Sequence, residues 1–175
     1  MYTTDWFMEQ ARLGNMFNSC STGAVTLSTV SATCTGLALS NPYGSGKNLV
    51  VKQCRFAPST APAGAAVVGL AVSPAVSATA VTHTTPAVIH NSVATGSNLN
   101  VGKGLVDAAA TLPAAPVWLR PIGGVVAASS ISPGMYVDET NGSIILPPGT
   151  NLSFSYLTTA ALGIASFCWV EVDAA

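Results

Sequence analysis

Gly44-Ser45-Gly46-Lys47 is the stretch that comes nearest to a phosphate-binding loop. Such a loop cradles phosphates with backbone N–H groups, and it needs glycine five positions before the Gly-Lys pair and a hydroxyl directly after it. Asn41 and Asn48 stand there instead, and Leu49-Val50-Val51 continues as a strand rather than a helix. The stretch reads as a flexible turn entering a strand. A metal site on barrel strands needs closely spaced histidines and a carboxylate. His83 and His90 are separated by Pro86 with no acid nearby in sequence, and read as loop histidines. Cys20, Cys34, Cys54 and Cys168 form no C-x-x-C and lie near neither histidine, so their spacing argues against zinc. Four small buried hydrophobes in reduced form is the simplest reading, and a cross-strand disulfide stays open.

The acids offer little more. Asp138-Glu139 stands beside Asn141-Gly142 and reads as a solvated turn. A Ca²⁺ contact there needs more oxygen ligands than the neighbourhood supplies. Glu171 and Asp173 close the last strand, where they are expected to meet solvent or a neighbour. A glycosidase needs two carboxyls across a cleft, and the seven acids suggest no such pair. No G-x-S-x-G elbow occurs. Trp118 and Trp169 are flanked by apolar strand residues and are expected in the core, whereas Tyr43 and Tyr136 fall at turns and are better candidates for a sugar platform. No catalytic, cofactor-binding or metal residue is assigned, and the chain is not expected to be an enzyme.

The elements that carry these residues are built from an unusual composition. Only 7% of the 175 residues are charged, while 49% are hydrophobic. A typical globular domain carries roughly 25% charged residues, which keep it solvated and apart from its copies. Here Ser, Thr, Asn, Gly and Ala must make most of the polar surface. Such a surface is cheap to desolvate and suits packing against other chains. The six cations are scattered; Lys52 and Arg55, three apart in a strand pattern, are expected on opposite faces. A nucleic-acid partner is therefore not expected. Neither is a membrane, since no run of about 18 unbroken apolar residues exists; Ala61 to Val72 is broken by Pro62, Gly64 and Gly69. Met1 leads into Thr3, Thr4, Asp5 and Glu9, so no secretory signal is expected.

Residues 1–22 differ from the rest. Trp6, Phe7, Leu13, Met16 and Phe17 sit near helical spacing, with Asp5 as N-cap and Gly14 interrupting. The expectation is a short helix or arm outside the fold, with Trp6, Phe7, Met16 and Phe17 docking on a partner. Residues 23–175 read as strands and turns. Strands are expected over 24–27, 32–40, 48–58, 65–72, 87–92, 114–121, 135–138, 142–146, 151–158 and 164–172. Alternation is plain in Leu152, Phe154 and Tyr156 and in Phe167, Trp169 and Glu171. In the third such run, Leu49, Val51, Gln53 and Arg55 alternate with Val50, Lys52, Cys54 and Phe56. Asn141-Gly142 predicts a hairpin between Tyr136-Val137 and Ile144-Ile145. Pro147-Pro148-Gly149 predicts a second, core-forming hairpin, with Gly149 at positive φ. Between Ser73 and Ala110 the pattern blurs into either a long loop or strands joined by large loops. The class is all-β: an antiparallel sandwich or barrel.

Three passages carry a resemblance. Asn41-Pro42-Tyr43-Gly44-Ser45-Gly46-Lys47-Asn48-Leu49-Val50-Val51 runs into Phe56-Ala57-Pro58; Ala114-Ala115-Pro116-Val117-Trp118-Leu119-Arg120-Pro121 follows; Gly142 to Thr150 and Ser166 to Val172 close the chain. Together, over about residues 24–173, they resemble the jelly-roll virion proteins of tailed bacteriophages, most of all capsid decoration (cement) proteins. The resemblance implies a jelly-roll β-sandwich, a homotrimer, the major capsid protein as partner, and a place on the capsid exterior after synthesis in the host cytoplasm. A receptor- or glycan-binding module of a tail or head fibre, with contacts on residues 73–110, is the alternative.

Overall fold

The computed structural model describes residues 5–93, 101–125 and 134–174. One helix, α1 (Trp6–Arg12), precedes thirteen strands among these residues. They are β1 (Met16–Cys20), β2 (Val25–Thr26), β3 (Thr33–Asn41), β4 (Lys47–Pro58), β5 (Ala66–Val72), β6 (Thr82–His83) and β7 (Ile89–Asn91). Then come β8 (Leu105–Thr111), β9 (Val117–Val125), β10 (Tyr136–Asp138), β11 (Ile144–Leu146), β12 (Thr150–Leu157) and β13 (Leu162–Asp173).

The strands form two antiparallel sheets. The first has the order β10-β4-β13-β1-β7, with β11 also on β4 and β2 on β13; the second has the order β6-β8-β3-β12-β5-β9. From β3 to β5 and again from β9 to β13 the chain passes back and forth between the sheets. The resulting quartets, β1-β13-β4-β10/β11 and β3-β12-β5-β9, have the strand order of a jelly roll. The class is thus the all-β antiparallel sandwich that the alternation predicts. The connection from β5 to β9 is the elaborated part. It supplies β6 and β8 to the second sheet beside β3, and β7 to the first beside β1. The blurred stretch therefore holds strands, not only loop.

The core lies between the sheets. Leu37 and Leu39, Val68 and Leu70, Leu152 and Phe154, and Phe167 and Trp169 enter it from four strands at period two. Phe154 meets Phe167 across the sheets at 4.8 Å between ring centroids, and Phe17 stacks on Trp169 at 6.0 Å. Burying each such ring contributes on the order of 3 kcal/mol.

Four expectations are corrected. First, the fold begins before residue 23. Met16 and Phe17 belong to β1, paired with β13 on one side, and Phe17 is only 2% exposed. Helical spacing misleads here because α1 ends at Arg12, with Leu13 as its C-cap. Gly14, at φ +76°, opens a Schellman turn in which its N–H and that of Asn15 reach Ala11 O and Gln10 O. Second, Asn141-Gly142 makes no hairpin. β10 and β11 both pair with β4, in the same direction, so the positive-φ pair (45° and 83°) turns an excursion within one broken strand. Third, Pro147-Pro148-Gly149 carries the chain from the first sheet to the second instead of closing a hairpin; Gly149 does take φ +83°. Fourth, Lys52 and Arg55 share the outer face. A bulge sets Trp169 opposite Val51 and Cys168 opposite Gln53, leaving Lys52 as the extra residue. The phase therefore flips, and Cys54 and Phe56 follow Leu49 and Val51 into the core.

Candidate functional site

The four partner-docking candidates separate. Asp5 caps α1 as expected, accepting from Phe7 N–H at 2.8 Å. The helix then lies on the outer face of its own first sheet, where Phe7 and Ala11 cover Met16, Val50 and Val170. Phe7 is held from above by Trp6, edge-on at 4.9 Å, and by Lys52 Nζ, 5.4 Å from the ring centroid. Of the four, Trp6 alone is exposed; Met8 on the helix and Leu13 at its C-cap are exposed as well. Met16 and Phe17 are unavailable to a partner in this fold.

The larger apolar surface is on the second sheet. Val68 and Leu70 point inward, so Val67 points out; Phe154 and Tyr156 likewise leave Leu157 outside. Val67, Leu119 and Leu157 are 36%, 43% and 52% exposed and, with Trp118 and Pro121, line a shallow depression of about 310 Å³. Trp118 is not in the core, in contrast to Trp169. Its ring lies over the backbone of Gly69, where an added Cβ would stand 2.4 Å from Cζ3. Among the described residues the one charge at this depression, Arg120, is engaged elsewhere: its guanidinium donates to both oxygens of Asp138 at 2.7 and 3.1 Å. Tyr136 O–H donates to Gly124 O at 2.6 Å. These contacts tie β9, the edge of the second sheet, to β10, the edge of the first. The sequence carried the signal for this face, because Val67 and Leu157 are apolar at outward phases.

Two buried acids escaped the sequence reading. Glu171 does not meet solvent; its carboxylate accepts from Lys103 N–H, Gly104 N–H and Trp169 Nε1–H at 2.8 to 3.1 Å. It latches the returning end of the β5–β9 insertion onto β13. Asp107, 1% exposed, accepts from Thr85 and Ala109 N–H, and its Oδ2 lies 3.3 Å from His83 Nδ1. That approach lacks hydrogen-bond alignment. Both histidines sit on short strands of the insertion, not in loops. Among the described residues no three His, Cys, Asp or Glu side chains gather into a metal-binding group, and no helix is long and apolar enough to cross a membrane.

Asp138 and Glu139 are engaged too, the first by Arg120 and the second by Lys52 at 4.0 Å and by Gln53. All four thiols are free: Cys34 and Cys54 buried, Cys168 half-buried, Cys20 exposed. Burial pushes each thiol above its ordinary value, Cys54 most of all. At the surface, a hydrogen bond from Arg12 lowers Glu9, and one from Lys47 lowers Asp173.

Comparison with known proteins adds no relative: no family model, no curated protein and no solved structure matches the chain.

Proposed function

We propose that the chain is a non-enzymatic virion structural protein, a capsid decoration protein that stabilises a phage head by bridging major capsid protein subunits as a homotrimer. The observation that carries the reading is the outward apolar face of Val67, Trp118, Leu119 and Leu157 on a chain with so few charges. Contiguous exposed apolar surface marks interaction sites, and here its burial strands no unpaired charge, since Arg120 already holds Asp138. The jelly-roll strand order agrees with the family that the sequence resembles. Clamping follows from mass action. Contacts made only to the closed shell stabilise it by the free energy of binding, and three attachment points on one trimer multiply weak contacts through effective concentration.

Copy number in purified particles tests the reading. A decoration protein approaches stoichiometry with the major shell protein and lies on the outside of the head in an electron-microscopy map. A handful of copies at the tail would replace it with a fibre module, and absence from the particle would overturn both.

A further inference from the structure

Of the four residues expected to dock on a partner, Trp6 remains available, and the contact proposed above makes no use of it. It is 45% exposed at the start of α1, and Leu13, seven positions on, is 52% exposed at the C-cap. Seven residues make about two helical turns, so both side chains rise from one side of the helix. The side carrying Phe7 and Ala11 already covers Met16, Val50 and Val170, and the Trp6–Leu13 side is left to solvent.

The helix lies toward one edge of the first sheet. Val50, which it covers, pairs with Ile145 of the edge strand β11, and a Cβ at Gly142 would stand 3.8 Å from Phe7 Cζ. Residues directly opposite on paired strands share a face. Ile145, 54% exposed, therefore continues the apolar surface outward from the helix. Across the seam between the sheets, Ile145 and Leu119 line one hollow of about 270 Å³. Leu119 also lines the depression that holds Val67 and Leu157. One apolar band thus runs from α1, around the edge formed by β11 and β9, to the outer face of the second sheet. The ion pairs along it, Glu9–Arg12 and Arg120–Asp138, close within the chain, so burying the band strands no lone charge.

Area decides how the band is used. Val67, Leu119 and Leu157 together expose on the order of 200 Å², about a quarter of the ~800 Å² that each partner buries in a stable contact. A depression pressed against its own copy leaves Trp6 and Leu13 of both chains in water. A contact between unlike flanks buries both flanks of every chain. It is also what a threefold ring requires, since there one patch meets a different patch on the next copy. The two flanks adjoin a single edge of the sandwich, which gives successive copies the turn that a closed ring needs and a fibre lacks.

We propose that α1 of one copy docks its Trp6 and Leu13 in the depression formed by Val67, Trp118, Leu119 and Leu157 of the next copy. The inference rests on the self-association in the proposed function and adds the surface that meets the depression. Sedimentation equilibrium of the full chain tests the two separately. Trp6→Lys, Leu13→Lys should shift the chain to monomer, as should Leu119→Lys, Leu157→Lys, each with a melt that matches the parent's. An equal mixture of these two variants should give a species of two chains and none larger, because one intact contact remains between them. If the α1 variant melts early, Leu13→Lys alone decides the matter and should weaken association about tenfold, as loss of a buried apolar anchor does. An α1 variant that associates as strongly as the parent overturns the docking and leaves the trimer standing. A mixture that stays monomeric does the same. A parent that is monomeric throughout overturns both.

Discussion

A carboxylate buried on β13 does more for this fold than any surface ion pair. Glu171 answers two backbone N–H groups of the insertion and the indole of a core tryptophan. Replacing it with alanine leaves those donors unpaired, and we expect a loss on the order of 3 kcal/mol in urea unfolding, with Glu171→Gln losing less. Exchange of the Lys103 and Gly104 amides should accelerate in step; unchanged protection there would disprove the latch. The thiols give a second prediction at this scale. Iodoacetamide should modify Cys20 first in the native protein, and Cys34 and Cys54 only on unfolding. Their folded pKa values are raised above the ordinary 9.0, chiefly by burial. The unfolded chain therefore releases those protons first as pH rises. The stability they contribute is complete below pH 9.0 and is lost as pH climbs through the folded values. The urea midpoint should fall on the alkaline side, and less steeply in Cys54→Ala. Little of this was legible in the sequence. Glu171 stands in the inward phase with Phe167 and Trp169, which marks its burial, but the two backbone N–H groups that help make burial tolerable, those of Lys103 and Gly104, lie 68 and 67 positions away and leave no local trace.

Among the elements, those with long regular alternation could be read and those defined by their partners could not. β12 and β13 announce themselves because inward and outward positions differ in kind over eight and twelve residues. β1 spans only five, Met-Phe-Asn-Ser-Cys, and follows a helix whose apolar spacing runs on into it. β10 and β11 look like hairpin arms because a positive-φ Asn-Gly pair joins them, yet β4 is long enough to pair with both. The bulge at Lys52 likewise depends on β13 and is invisible from β4 alone. These differences change what truncation should do. Removing residues 1–12 uncovers Met16, Val50 and Val170 and should cost about 2 kcal/mol while the sandwich still melts cooperatively. Removing residues 1–22 takes out β1, which stands between β13 and β7, and should abolish the cooperative melt. If the shorter deletion unfolds the chain as fully as the longer one, α1 is part of the core and not a cover on it. The link between the two sheet edges is weaker. A double-mutant cycle on Arg120 and Asp138 should give a coupling of about 1 kcal/mol, because the arginine is a third exposed.

For the molecule as a whole, the question is which surface would meet a neighbour under the proposed function. The two sheets solve the same problem differently on their outer faces. The first sheet covers Met16, Val50 and Val170 with its own helix and sets Lys52 and Arg55 beside it. The second has the insertion over one end, but at the other leaves Leu119 on the edge strand β9, with Val67 and Leu157 near it, uncovered. Composition alone suggested self-association without naming a surface; the phase of these residues in the folded sandwich offers this face as the one to test. We therefore expect the purified chain to form a trimer at micromolar concentration through this face. The variant Leu119→Lys, Leu157→Lys places two like charges on it at positions that make no core contact. Sedimentation equilibrium should shift that variant to monomer, while its thermal melt, measured at a concentration where the parent is also monomeric, stays within the small range typical of surface changes. A parent chain that is monomeric throughout would remove the trimer from the proposed function. A double variant that still associates as strongly would move the contact to another surface, with Trp6 and Met8 of α1 and Leu13 at its C-cap the next to alter.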